Sequence, residues 1–92
     1  MKVRIRLEGA LAWLAGRDQI TLDLGGEPKV IEALRALCEE EPRLSLLFDP
    51  DTGDPRTNFL ILLNGKDVDV LGGLEARLSE GDELCLIPLM RI

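Results

Sequence analysis

The chain has 92 residues, of which 46% are hydrophobic and 30% charged, a composition typical of one globular domain. Its net charge of −6 argues against nucleic acid as a partner and suits a basic protein partner. It has no His and no Tyr, and no other reactive side chain stands beside an obvious partner, so the sequence predicts no metal site, no cofactor and no catalysis by side chains alone.

Two further features concern the cellular compartment. The sequence contains no apolar segment long enough to cross a membrane and no unbroken apolar block near Met1, which predicts a cytoplasmic protein. The two cysteines, Cys38 and Cys85, lie far apart in apolar contexts. Free thiols in a core are the simplest interpretation, and a disulfide or redox pair is the alternative.

The first third of the chain alternates apolar and polar residues in two segments. Residues 2–8 and 19–24 each place their aliphatic side chains on one side, the period of a strand with one buried face. Gly9 ends the first segment. Residues 10–15 then form one short helical turn, which Gly16 stops.

The period changes after Pro28, which suits the first turn of a helix. Apolar residues then recur with the spacing of an amphipathic helix, at Val30, Ile31, Leu34, Leu37 and Cys38. Pro42 ends this helix. The acidic run at residues 39–41 predicts a solvated surface or a docking surface, and residues 44–48 form a short turn.

The second half begins with a loop at residues 49–56, whose three Asp residues superficially resemble a calcium loop. That loop lacks the later Glu and the framing helices of an EF-hand, so we expect no metal there. The unbroken apolar run at residues 59–63 predicts a central strand covered on both faces. Asn64-Gly65 predicts a tight hairpin, followed by a return strand at Val68 and Val70. A helical turn within residues 74–78 and a last strand at residues 84–87 complete the chain.

These elements predict an α+β domain, the ubiquitin-like β-grasp, extending over residues 1–92. One main helix packs across a mixed sheet of four to five strands, and the strands from the two chain ends lie side by side in its centre. A ferredoxin-like domain is the alternative. It requires a second full helix, for which residues 71–78 are too few.

Several segments, taken together and in this order, resemble one family. They are GALAWLAG at residues 9–16, the turn at residues 64–67, the Gly72-Gly73-Leu74 step, residues 78–83 and the strand that ends at Pro88. They resemble the small subunit of molybdopterin synthase, in the MoaD/ThiS family of ubiquitin-like sulfur carriers. The resemblance implies a subunit for molybdenum or tungsten pterin cofactor biosynthesis. It would act with a synthase large subunit or an adenylating, E1-like enzyme, and would not be an enzyme alone.

The resemblance also places the chemistry at the carboxyl end of the chain. Members of the family end in Gly-Gly, and their terminal carboxylate is adenylated and converted to a thiocarboxylate. Here Pro88 is followed by Leu89-Met90-Arg91-Ile92, and Ile92 stands about where the first glycine is expected. Glycines let extended backbone enter a narrow channel, whereas a β-branched residue is broad beside its carboxylate. We therefore expect sulfur transfer to be impaired, and no side chain is predicted to be catalytic.

The resemblance indicates which residues contact a partner. Glu8 stands where the family often has an aromatic residue, and Trp13 where it often has a charged one. The predicted partner-binding residues are Glu8, Trp13, Ile87, Pro88, Leu89, Met90, Arg91 and Ile92. For Trp13 an ordinary core position is the alternative. The last strand and the tail are also candidates for self-association. The alternative function is a β-grasp adaptor that binds proteins without being conjugated.

The tail hypothesis predicts the outcome of an enzymatic assay. The 92-residue chain, incubated with an adenylating enzyme, ATP and a sulfur donor, is expected to show no thiocarboxylate, whereas the R91G/I92G variant is expected to form one. Mass spectrometry checks this through the mass gained when sulfur replaces one oxygen. A clear gain on the unaltered chain would contradict the prediction.

Overall fold

The structure is a computed structural model that describes residues 1–89. Its strands are β1 (Lys2–Leu7), β2 (Gln19–Asp23), β3 (Phe59–Leu63), β4 (Lys66–Asp67) and β5 (Glu83–Pro88). Its α-helices are α1 (Ala10–Ala15) and α2 (Val30–Glu40). Short 3₁₀ turns occupy Pro42–Leu47, Val68–Val70 and Gly73–Glu75. No helix within this part of the chain has both the length and the apolar character needed to cross a membrane.

The five strands form one mixed sheet in the order β2-β1-β5-β3-β4. Strands β1 and β5 pair in parallel, from Arg4 beside Glu83 to Leu7 beside Leu86, and the other neighbours are antiparallel. The first and last strands thus lie side by side, and α2 is the one main helix. The predicted β-grasp architecture is confirmed.

The core lies between one face of the sheet and α2. Alternation along each strand sends every second side chain to this inner face, where β1 buries Val3, Ile5 and Leu7 completely or nearly so. Helix α2 buries Val30, Ala33, Leu34 and Leu37 against it. The 3₁₀ turn at Pro42–Leu47 adds Leu44 and Leu47 at one end of the core. Within residues 1–89, no α-helix packs across the opposite face of the sheet. We call this opposite face the open face.

Two sequence predictions about the second half are wrong. Strand β3 is not central, because β5 lies between it and β1, and it is not covered on both faces, because its side chains alternate between buried and half-buried. The return strand is Lys66–Asp67, and Val68–Val70 forms a 3₁₀ turn. The hairpin itself is confirmed, with positive φ angles of 50° at Asn64 and 86° at Gly65.

The last strand cannot join another copy through its backbone. Both edges of β5 are occupied, by β1 on one side and β3 on the other. Self-association by strand pairing at β5 is therefore excluded, and Met90, Arg91 and Ile92 of the proposed tail contact lie outside the described residues.

The burial pattern predicts a contrast between two leucines near the end of the chain. Leu86→Ala is expected to lower the free energy of unfolding by about 2–5 kcal/mol, because Leu86 is fully buried in the core. Leu89→Ala, the same substitution at a side chain that is 60% exposed, is the control and is expected to cost under about 0.5 kcal/mol. Urea denaturation measures both, and equal losses would contradict the assignment of the core.

Candidate partner-docking site

The backbone of β5 is held on both sides up to the point where the chain leaves the sheet. The Glu8 N–H donates a hydrogen bond to the Leu86 carbonyl at 3.1 Å, and the Leu89 N–H donates one to the Asn58 carbonyl at 2.9 Å. The exit of the chain is therefore fixed in position relative to the end of β1 and the start of β3.

Helix α1 begins directly beside this exit. Gly9 has a φ of 55°, and a Cβ atom at this residue would lie 3.8 Å from Cγ of Pro88. The positive φ turns the chain out of β1, so that α1 packs against β5 at its carboxyl end. The helix ends at Gly16, whose φ of 73° lets its N–H bond back to carbonyls of the last turn.

The side chain of Trp13 projects from α1 into solvent. Leu11 and Ala15 face the core and are buried, whereas Trp13, on the opposite side of the short helix, is 81% exposed. The core alternative for Trp13 is therefore wrong. An indole exposed to this degree, with no core role, is the kind of side chain that anchors protein interfaces.

Five of the predicted partner-binding residues gather around the chain exit. We call this group the tail-exit surface, and it consists of Glu8, Trp13, Ile87, Pro88 and Leu89. Leu89 is 60% exposed, Ile87 and Pro88 are half-buried, and Glu8 is exposed. The remaining three predicted residues, at positions 90–92, lie outside the described part of the chain.

Both cysteines are free and only half-buried. Burial raises the pKa of the Cys38 thiol to about 11, and the thiol lies 3.4 Å from the Leu44 carbonyl. The pKa of the Cys85 thiol is raised first by burial and then by the charge of Glu8, whose Oε1 lies 3.9 Å from its sulfur. Both thiols are therefore protonated near neutral pH and poor nucleophiles.

The sequence analysis missed two residues of the open face next to the tail-exit surface. Leu60 stands beside Ile87, and Leu62 beside Cys85, all with side chains on the open face and all half-buried. Leu60 and Leu62 were missed because the apolar run at residues 59–63 was interpreted as a strand buried on both faces. The sequence predicted a single long helix, and one helix covers only one face of a sheet. This feature could have indicated that one face of β3 is partly exposed.

The acidic loop uses its carboxylates internally. Asp49 accepts hydrogen bonds from the Thr52 N–H at 2.9 Å and from other groups of the loop, which lowers its pKa. Arg56 contacts Asp54 and Asp69 at 2.8 Å each, and its hydrogen bonds lower the pKa of Asp54. Within residues 1–89 no three His, Cys, Asp or Glu side chains are grouped so that they could hold a metal ion.

Comparison with solved structures gives matches over nearly the whole chain. SAMP1 from Haloferax volcanii is 30% identical, with a TM-score of 0.86 over 100% of this chain and 99% of that one. Two matches below 25% identity show the fold alone. The protein named molybdopterin converting factor subunit 1 from Pyrococcus furiosus is 19% identical, with a TM-score of 0.72 over 98% of this chain and 99% of that one. A chain of the BexX/CysO complex from Amycolatopsis orientalis is 21% identical, with a TM-score of 0.72 over 98% of each chain.

A comparison with curated protein sequences gives no match. The model of the ThiS family, in contrast, matches residues 5–91, which include the second half of β1 and all the other strands and α-helices described above. The family resemblance found in the sequence is thus confirmed: this chain is a member of the ThiS family, with the ubiquitin-like sulfur-carrier fold.

Proposed function

We propose that the chain is a MoaD-like subunit of molybdenum or tungsten pterin cofactor biosynthesis, which docks on a partner enzyme through the tail-exit surface. The observation that carries the proposal is the exposed Trp13 on α1, the helix that begins beside the point where the chain leaves β5. Membership of the ThiS family and the resemblance to the molybdopterin synthase small subunit support the pathway. The proposed partners are a synthase large subunit and an adenylating enzyme.

The tail-exit surface has the chemistry of an interface centre. Trp13 and Leu89 are large apolar side chains that are exposed in the isolated domain, and burying them against a partner would release the water that covers them. Glu8 beside them is exposed, so its charge remains solvated until a partner approaches. A partner that covers Glu8 must then provide a hydrogen-bond donor or a cation, because an unpaired buried carboxylate is costly.

The side chains present indicate what this domain and its partner would each contribute to a reaction. The two thiols are poor nucleophiles, and the sequence has no His to act as a general base near neutral pH. Such a domain contributes by positioning the end of its own chain, and the partner contributes the reactive groups. The neighbour from Amycolatopsis orientalis was solved as a BexX/CysO complex, which supports a partner complex here.

A non-conjugating adaptor is the second candidate function. Its specific support is that Glu8, Trp13 and Leu89 belong to the described residues, so these three can form a docking surface by themselves. The adaptor would use the same tail-exit surface but without transfer of a group at the chain end. Binding to proteins other than the two proposed partners is the outcome that favours it.

Binding assays test the proposed docking surface. Trp13→Ala is expected to weaken binding to a synthase large subunit or to an adenylating enzyme from the same organism by about tenfold or more, as loss of an aromatic anchor does. Val70→Ala is the control, because Val70 is 76% exposed but follows β4, an edge strand that β3 separates from β5. Isothermal titration calorimetry measures both. Equal effects of the two substitutions, or no binding of the unaltered chain, would contradict the proposal.

Trp13 also provides a direct optical signal, since it is the only Trp in the chain. In the isolated domain its emission is expected at the red end of the tryptophan range, with efficient quenching by acrylamide, because the indole is in water. Addition of the partner should shift the emission to the blue and protect the indole. Unchanged quenching in a complex that calorimetry has demonstrated would place Trp13 outside the interface.

A further inference from the structure

Two arginines lie side by side on the open face. Arg4 and Arg6 are two residues apart on β1, so their Cα atoms are about 7 Å apart and both side chains project from the same face. Arg4 stands between Thr21 of β2 and Glu83 of β5. Arg6 stands between Gln19 and Cys85. We call Arg4 and Arg6 the arginine pair.

The arginine pair has no anionic partner within the described residues. Other arginines of the chain do, as in the contacts of Arg17 with Glu40 and of Arg43 with Glu41. Within residues 1–89, neither member of the arginine pair forms an ion pair with a carboxylate. Two guanidinium groups are thus presented to solvent with their hydrogen-bond donors available.

The charge of the open face differs from the charge of the whole chain. The face and its borders carry three cations, Lys2 and the arginine pair, and four anions, which are Glu8, Asp23, Asp67 and Glu83. The face therefore has one excess negative charge, and the other five of the chain's excess of six lie on other surfaces of the molecule. Lys2 is already paired with Asp23 at 3.1 Å. The net charge, which suggested a basic partner, does not describe this face.

An apolar group adjoins the arginine pair on the open face. A row across the sheet runs from Gln19 through Arg6, Cys85 and Leu62 to Asp67 at the edge strand. Leu60 and Ile87 extend the apolar part toward the chain exit, and Ile87 also belongs to the tail-exit surface. The open face thus joins cations without partners to half-buried aliphatic side chains, in one surface continuous with the proposed docking site.

We propose that the open face binds a protein surface that places carboxylates over Arg4 and Arg6 and apolar side chains over Leu62 and Ile87. Covering the apolar group brings the neighbouring arginine pair into the interface, where unpaired charges are costly. Carboxylates match the fork of donors on a guanidinium and remove that cost. The four carboxylates on and around the same face disfavour nucleic acid, whose phosphates they would repel. This inference rests on the proposed function, since it describes the chemistry of the same partner.

Charge reversal with a charge-matched control tests the inference. In the R4E/R6E variant, binding to a synthase large subunit or to an adenylating enzyme from the same organism is expected to weaken by about tenfold or more. The R35E/K66E variant changes the net charge equally, at exposed residues of α2 and β4 away from the arginine pair. It is expected to bind within about threefold of the unaltered chain, since distant exposed charges are largely screened. Urea denaturation verifies that both variants fold.

A conservative variant and salt separate pairing from general charge. R4K/R6K keeps both charges but loses the fork geometry, so its binding is expected between those of the unaltered chain and R4E/R6E. Added salt should weaken binding of the unaltered chain more than that of R4E/R6E. Equal binding of R4E/R6E and R35E/K66E would overturn this inference alone, provided that Trp13→Ala still weakens the complex. No binding of the unaltered chain would overturn the proposed function and this inference with it.

Discussion

The parallel pairing of β1 with β5 is the constraint on which the rest of the structure depends. It joins the two ends of the chain in the middle of the sheet, from Arg4 beside Glu83 to Leu7 beside Leu86, and buries the inner side chains of both strands under α2. Because the two strands run in the same direction, the carboxyl ends of β1 and β5 lie side by side at the same end of the sheet. The turn at Gly9 therefore begins beside Pro88, and α1 carries Trp13 to the place where the chain leaves the fold.

The two faces of the sheet differ in burial because the described residues contain one long helix, which covers only one of them. The inner face receives α2 and becomes the core, whereas the open face keeps half-buried aliphatic side chains from β3 and β5 beside the charged side chains of β1. A sheet face that is exposed only to water typically carries polar side chains. The aliphatic residues that remain there, together with Trp13, distinguish the surfaces available for partners from the rest of the domain.

The local pattern of the sequence was sufficient for most elements. Strict alternation predicted β1 and β2, helical spacing predicted α2, and Asn64-Gly65 predicted the hairpin, because each of these depends on residues close together in the chain. The candidate site was predicted in part. The resemblance indicated Glu8, Trp13 and residues 87–89, whereas Leu60, Leu62 and the arginine pair were not recognised, since their role depends on which strands lie next to each other.

The sequence by itself determined which side chains share a face of each element, where the turns fall, and to which family the chain is similar. Only the tertiary structure decided that β3 lies beside β5 and is covered on one face, that Trp13 is outside the core, and that most of the net negative charge lies away from the open face. The physical reason is that periodicity is local, whereas exposure and electrostatic surroundings depend on pairing between residues far apart in the chain. That pairing is set by the burial of the whole core against a single helix.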